Sequence, residues 1–208
     1  MGHAPEPASC FTPVNDVGLR IVHKLGGITA FMGQESLARD IGDLRIPALV
    51  NDSTFQFDAE LNFERPELNQ LRDIWREKTK SKLIASRADF DARTVKPFMR
   101  HMAILDVETL PDGDRRYKNR YEGSAIVEVF GEQTGRYLDE YMPPDRIARW
   151  RAGHDLVVLS ARPLRIVVNY KSPQISYLKS EIFCFPLSED GTTINMVMGF
   201  NYFSPKQP

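Results

Sequence analysis

The spacing of hydrophobic residues changes period along the chain, and each change marks an element. Val14, Val17, Ile21, Leu25, Ile28 and Met32 recur every three or four positions, the helical period, and Gly26 and Gly27 interrupt them. Two short helical pieces are therefore expected over 14–41. Ile46, Leu49, Val50, Phe55 and Phe57 surround the turn-forming Asn51, Asp52 and Ser53, so 45–58 is expected to be extended chain laid on another surface. Pro66 suits a first helical turn, and the stripe Leu68, Leu71, Ile74, Trp75 and Lys78 predicts a helix over about 66–81. A second short helix is expected after Asp91, with Val95, Phe98 and Met99 facing inward and Pro97 limiting its length.

The period then falls to two. Residues 102–107 and 116–121 read as strands joined through Leu110, Pro111, Asp112, Gly113 and Asp114, a hairpin signal. In the second strand Tyr117, Asn119 and Tyr121 alternate with Arg116, Lys118, Arg120 and Glu122, which assigns the first set to an interior and the second to water. Ala125, Ile126, Val129 and Phe130 predict a helical turn or two ended by Gly131, and another short piece is expected over 137–141. After Pro143 and Pro144, the residues Ile147, Trp150, His154, Val157 and Ala161 mark one face of the longest helix in this half, which stops at Pro163. Strands follow at 164–170, 175–185 and 194–203, with Ser172 and Pro173, then Glu189, Asp190 and Gly191, in the turns. The last strand places Ile194, Met196, Met198, Phe200 and Tyr202 on a single face.

Two strands, a run of helices, then three meandering strands define an α+β architecture. The expectation is a five-stranded antiparallel sheet with short helices and one longer helix on one face, plus an N-terminal helical extension. Residues 1–60 read as tail and arm, and 61–208 as the domain. No internal repeat of a size that would mark a solenoid is visible.

Composition narrows the function. The chain has 208 residues, 42% hydrophobic and 26% charged, with 27 basic against 28 acidic side chains. That balance supplies no overall field for holding phosphates, so no nucleic-acid partner is expected. No stretch approaches the about 20 apolar residues needed to cross a bilayer, and the N-terminus lacks a secretory pattern, so a soluble, cytoplasmic protein with no membrane partner is expected. Cys10 and Cys184 are the only cysteines, which rules out a disulfide framework.

Four stretches carry a family likeness: Ile74 and Trp75; Ser86, Arg87, Ala88, Asp89, Phe90 and Asp91; Tyr121, Glu122 and Gly123; and Phe130, Gly131, Gly135, Arg136, Tyr137, Leu138 and Asp139. With them, residues 68–203 resemble a PAS domain of the alphaproteobacterial single-domain subfamily, small proteins without an output domain. The departures are mild: Ala85 where the family often has Pro, Ala92 where Pro often follows the Asp, and Ser124 where Thr is usual. The resemblance implies a sensory or signalling module acting in trans, without catalysis, that holds a small molecule between sheet and helices or binds a protein. Expected partners are a second copy of the chain and a signalling protein such as a histidine kinase, docked through the arm and the leading helix. The resemblance fixes no cofactor.

The ligand-binding candidates are the residues read as inward: Tyr117, Asn119, Tyr121, Phe130, Tyr137, Met142, Trp150, His154, Ile166, Val168, Met196 and Met198. Aromatic and Met side chains suit an adaptable apolar cavity, with tyrosine hydroxyls and Asn119 to orient a polar group. The same alternation would also describe a filled core, which leaves a pure dimerisation or interaction adaptor open. A small enzyme, with Asn119 and His154 meeting in the cavity, is the other alternative.

Specific chemistries find less support. A flavin photoreceptor needs a reactive cysteine near Ile126 to Phe130, and the segment has none. Haem would need His154 as a lone axial ligand on the long helix, where a packed histidine is the ordinary outcome. His3, His23, His101 and His154 are too scattered for a metal site. Cys184 with His101 or His154 could act as a nucleophile, but a strand position between Phe183 and Phe185 predicts a packed thiol. Gly26 to Gly33 lacks the Lys and the Ser or Thr of a phosphate loop. Asp91 is expected to cap the helix after it, Arg87 to tie to a nearby carboxylate, and Arg146, Arg149 and Arg151 to form the wet side of the long helix.

Overall fold

A computed structural model describes residues 53–80, 82 and 84–206. The expected tail, the helical pieces over 14–41, the first part of the arm, and Cys10, His3 and His23 lie outside the described residues. The strands are β1 (Phe55–Asp58), β2 (Met102–Thr109), β3 (Arg115–Glu122), β4 (Leu164–Asn169), β5 (Leu178–Ser188) and β6 (Ile194–Pro205). The α-helices are α1 (Pro66–Lys78), α2 (Ala92–Val95), α3 (Ser124–Phe130) and α4 (Pro144–Ser160), with short 3₁₀ turns between them. Among the described residues these six strands form one antiparallel sheet in the order β1-β4-β5-β6-β2-β3.

The sheet therefore has six strands where the sequence predicts five. The additional strand is the end of the expected arm: Phe55 pairs with Val168 and Phe57 with Ile166, and Phe55 is buried. Four residues are too few for a period of two to declare itself, so only the pairing with β4 reveals the strand. The strand expected from 175 starts at Leu178, because Pro173–Ile175 forms a 3₁₀ turn.

Helices cover both faces of the sheet, not the one face expected. In β5 every residue from Glu181 to Ser188 is buried, the continuous burial of a strand covered on both sides. Phe183, Phe185 and Leu187 pack with Met196, Met198 and Phe200 of β6 and with Leu68 and Leu71 of α1. Between them in sequence, Ile182 and Cys184 point the other way, into a core with Val197 and with Leu156 and Val157 of α4. Alternation thus separates a face under α1 from a face under α3 and α4.

Glu181 holds α1 in place. Its carboxylate accepts the backbone N–H groups of Glu64 at 2.9 Å and Arg65 at 3.1 Å, where the chain enters the helix, and the Arg165 Nε–H at 2.6 Å. It does from another strand what the N3 side chain of a capping box does locally, accepting the N-cap amide. Asp91 caps α2 as predicted, accepting Thr94 N–H at 2.8 Å. Arg87 instead donates to the Phe90 carbonyl at 2.6 Å, and it is Lys82 that ties the neighbouring carboxylate, Asp89.

Candidate functional site

A row of small residues crosses the middle of the sheet. Ala103 on β2 stands opposite Gly199 on β6, and Gly199 opposite Cys184 on β5. The adjoining rows are larger, with Leu105 opposite Val197 on one side and Asn201 opposite Ile182 on the other. The dip leaves space under α3 and α4, and a cavity of about 250 Å³ fills it. Pockets for drug-sized ligands run from about 300 to 1,000 Å³, so this volume suits a compact molecule.

The helices reach their positions for local reasons. Gly123 precedes α3, and a Cβ there would collide with the Met99 and Arg100 backbone, so this close approach requires glycine. Gly131 ends α3 at a φ of +77°, turning the chain back towards β3. That return runs along the sheet edge, where Asn119 N–H donates to the Arg136 carbonyl at 2.9 Å and Gly135 N–H to the Asn119 carbonyl at 2.7 Å. Pro144 starts α4, which ends at Ala161 in the left-handed conformation ahead of Pro163.

Apolar walls come from Leu105, Ile126, Phe130, Leu138, Met142 and Trp150. One polar group lies along β3. Asn119 Nδ2 donates to the Tyr141 hydroxyl at 2.8 Å, and Glu122 accepts Gln133 N–H at 3.0 Å. Burial pushes the Glu122 carboxyl above its ordinary range, and burial raises the Tyr141 hydroxyl to about 12.

A second polar group gathers where α4, β5 and β6 meet. Arg146 Nη2 donates to Ser172 Oγ at 2.6 Å, and the Tyr170 hydroxyl shares a 3.0 Å hydrogen bond with Ser180. Asn201 is buried, and its Oδ1 has no hydrogen-bond partner among the described residues. His154 lines the cavity too, with Nδ1 2.8 Å from the Trp150 carbonyl, so Nδ1 carries the proton and Nε2 the lone pair. Burial lowers its pKa to about 4 and keeps the ring neutral.

Of the twelve candidates, Asn119, Phe130, Met142, Trp150 and His154 line the cavity. Tyr117 is buried behind it, 5.1 Å from the His154 ring, and donates to Asp155 Oδ1 at 2.6 Å. Ile166 and Val168 pack in the core beneath α4 with Phe55. Met196 and Met198 do share one side of β6 as predicted, but it is the side under α1. Tyr121 belongs to that face as well, because the register of β3 slips between Asn119 and Tyr121 where a bulge interrupts its pairing with β2. The slip brings Glu122, expected to face water, into the cavity. Tyr137 lies at the surface with its ring 3.8 Å from the Arg116 guanidinium and its hydroxyl on Glu108. Its neighbours Leu138 and Tyr141, three residues apart on a 3₁₀ turn, face the cavity in its place.

Sequence reasoning also missed Arg146, Gln133, Tyr170 and Asn201, which line the cavity. Arg146, expected on the wet side of the long helix, faces the cavity instead, because it stands four residues before Trp150 and eight before His154 and so shares their face. Cys184 lines the cavity as a packed thiol whose pKa burial raises to about 12. Among the described residues no three His, Cys, Asp or Glu side chains gather as a metal site, and no helix is long and apolar enough to cross a membrane. The chain matches no family model and no curated protein.

Proposed function

We propose that this chain is a PAS-type sensory module that binds a small molecule between its sheet and the helices α3 and α4, and passes the occupancy of that cavity to a partner. Partners of the expected kind are a second copy of the chain or a signalling protein such as a histidine kinase. The α+β architecture is compatible with that class, and the four sequence stretches quoted above are what suggest it.

The observation that carries the ligand-binding reading is the cavity over Ala103, Gly199 and Cys184, with the partnerless Asn201 Oδ1 beside it. A buried acceptor without a partner costs about 1–3 kcal/mol, which a bound donor removes. An adaptor with a filled core has no role for either feature. Native mass spectrometry of protein purified from its host tests the reading: a bound small molecule is expected. Gly199→Val should release it, because a Cβ on Gly199 meets nothing closer than 3.9 Å and the added methyls enter the cavity. Retention of the same mass by a folded Gly199→Val variant would place the ligand elsewhere.

A further inference from the structure

We propose, resting on the ligand-binding reading above, that the cavity takes a small organic carboxylate that also carries a hydroxyl or amino group on an apolar body. Hydroxy acids and amino acids have this chemistry. Three observations on the cavity lining converge on it.

The first is a cation whose hydrogen-bond partner among the described residues is neutral. Arg146 lines the cavity half-buried, and its hydrogen bond goes to the neutral Ser172 hydroxyl. Among the described side chains no carboxylate pairs with it, whereas Arg116, Arg120, Arg151 and Arg165 each have an acidic partner. The cavity's own carboxylate does not serve, since the groups acting on Glu122 are Gln133 and Glu132. A guanidinium presents paired N–H donors that match one carboxylate.

The second is the buried Asn201 Oδ1, an acceptor that repels a carboxylate oxygen and calls for a donor. Arg146, Tyr170 and Asn201 line the same cavity, so one bound molecule can meet both groups. Cation and orphan acceptor in one compact cavity call for an anion and a donor on the same ligand. The third is the remaining wall of Leu105, Ile126, Phe130, Met142 and Trp150, which suits a hydrocarbon or aromatic body. Glu122 at the β3 side disfavours a second anionic group there and sets the orientation.

The probes are phenyllactate, hydrocinnamate, which lacks the hydroxyl, and hydrocinnamyl alcohol, which lacks the charge, measured by calorimetric titration on the full chain. Phenyllactate is expected to bind about 3- to 10-fold more tightly than hydrocinnamate, the range of one hydrogen bond, and the alcohol at least about 10-fold more weakly than either acid. Arg146→Gln should erase the preference for acid over alcohol, with Arg146→Lys restoring part of it. Asn201→Leu should erase only the preference for the hydroxyl. Equal binding of alcohol and acid, or an acid preference that survives Arg146→Gln, overturns the inference; the ligand-binding reading still stands if Gly199→Val abolishes that binding. Failure of all three probes to bind also overturns it, and the native mass measurement then decides the cavity reading separately. Circular dichroism of each variant confirms that it is folded.

Discussion

Gly153 on α4 lies directly against Phe57 of β1: a Cβ at Gly153 would stand 2.6 Å from Phe57 Cε1 and 3.2 Å from Ile166 Cδ1. The long helix therefore seats on the edge strand without a side chain between them, and the end of the N-terminal arm becomes part of the floor under α4. Trp150, one turn earlier, closes the other side, with Phe55 edge-on to it at 5.4 Å.

Gly153→Ala should loosen this seat. Overpacking costs about 1–3 kcal/mol, while replacing glycine inside a helix returns about 1 kcal/mol, so a net loss is expected. Chemical denaturation of Gly153→Ala, of Phe57→Leu and of the double variant checks it. Phe57→Leu removes the contacting ring carbon, so alanine at 153 should be less harmful in that background. Equal effects of Gly153→Ala in both backgrounds would show that the ring is not what it meets.

Glu181 is the interaction whose loss should cost most. Its side chain is only 3% exposed, and removing one partner of a buried ion pair costs about 3–5 kcal/mol. Arg165 keeps weaker contacts to Asp58 at 3.5 Å and Glu64 at 3.6 Å, which places Glu181→Ala at the lower end, about 3 kcal/mol. The amides of Glu64 and Arg65 lose their acceptor in the same step, so hydrogen exchange should accelerate first at the start of α1. A denaturation midpoint unchanged from the parent would contradict the assignment.

His154 makes stability depend on pH. Its folded pKa of about 4 lies below the ordinary 6.5, so between these values the unfolded chain binds the proton and the folded one does not. Stability contributed by this group is complete above about pH 6.5 and is lost as pH falls through the window, by on the order of 3 kcal/mol at its lower limit. His154→Gln, which cannot titrate, should show a shallower loss between pH 7 and pH 4. Parallel pH profiles for parent and variant would mean that His154 takes up its proton as readily in the folded state as in the unfolded chain.

Cys184 should be inert while the fold is closed. Burial raises its thiol to about 12, and the Sγ–H donates to the Leu164 carbonyl at 3.5 Å. In a Cys10→Ser background, which leaves one thiol, alkylation at pH 8 should proceed only as fast as the protein opens and should accelerate with denaturant. Reaction at the rate of a free thiol would reveal an accessible thiolate.

Local chemistry made much of this protein legible in advance. The positions of α1, α3 and α4, the hairpin of β2 and β3 and the meander of β4 to β6 follow from apolar spacing with Pro and Gly punctuation, because those signals act within a few residues. The candidates that reached the cavity came from helix stripes, as with Trp150 and His154, from a helix end, as with Phe130, or from strand alternation, as with Asn119. What tertiary structure decided was the pairing of strands. Only register sets Ala103, Gly199 and Cys184 side by side as a floor. Only the bulge beyond Asn119 sends Tyr121 under α1 and Glu122 into the cavity. Only the presence of helices on both faces determines which side of β6 lies beneath α4. A period of two shows that Met196, Met198 and Phe200 share a face, but both faces of this sheet are buried. Nothing local tells one buried face from the other, and that choice depends on residues more than a hundred positions away.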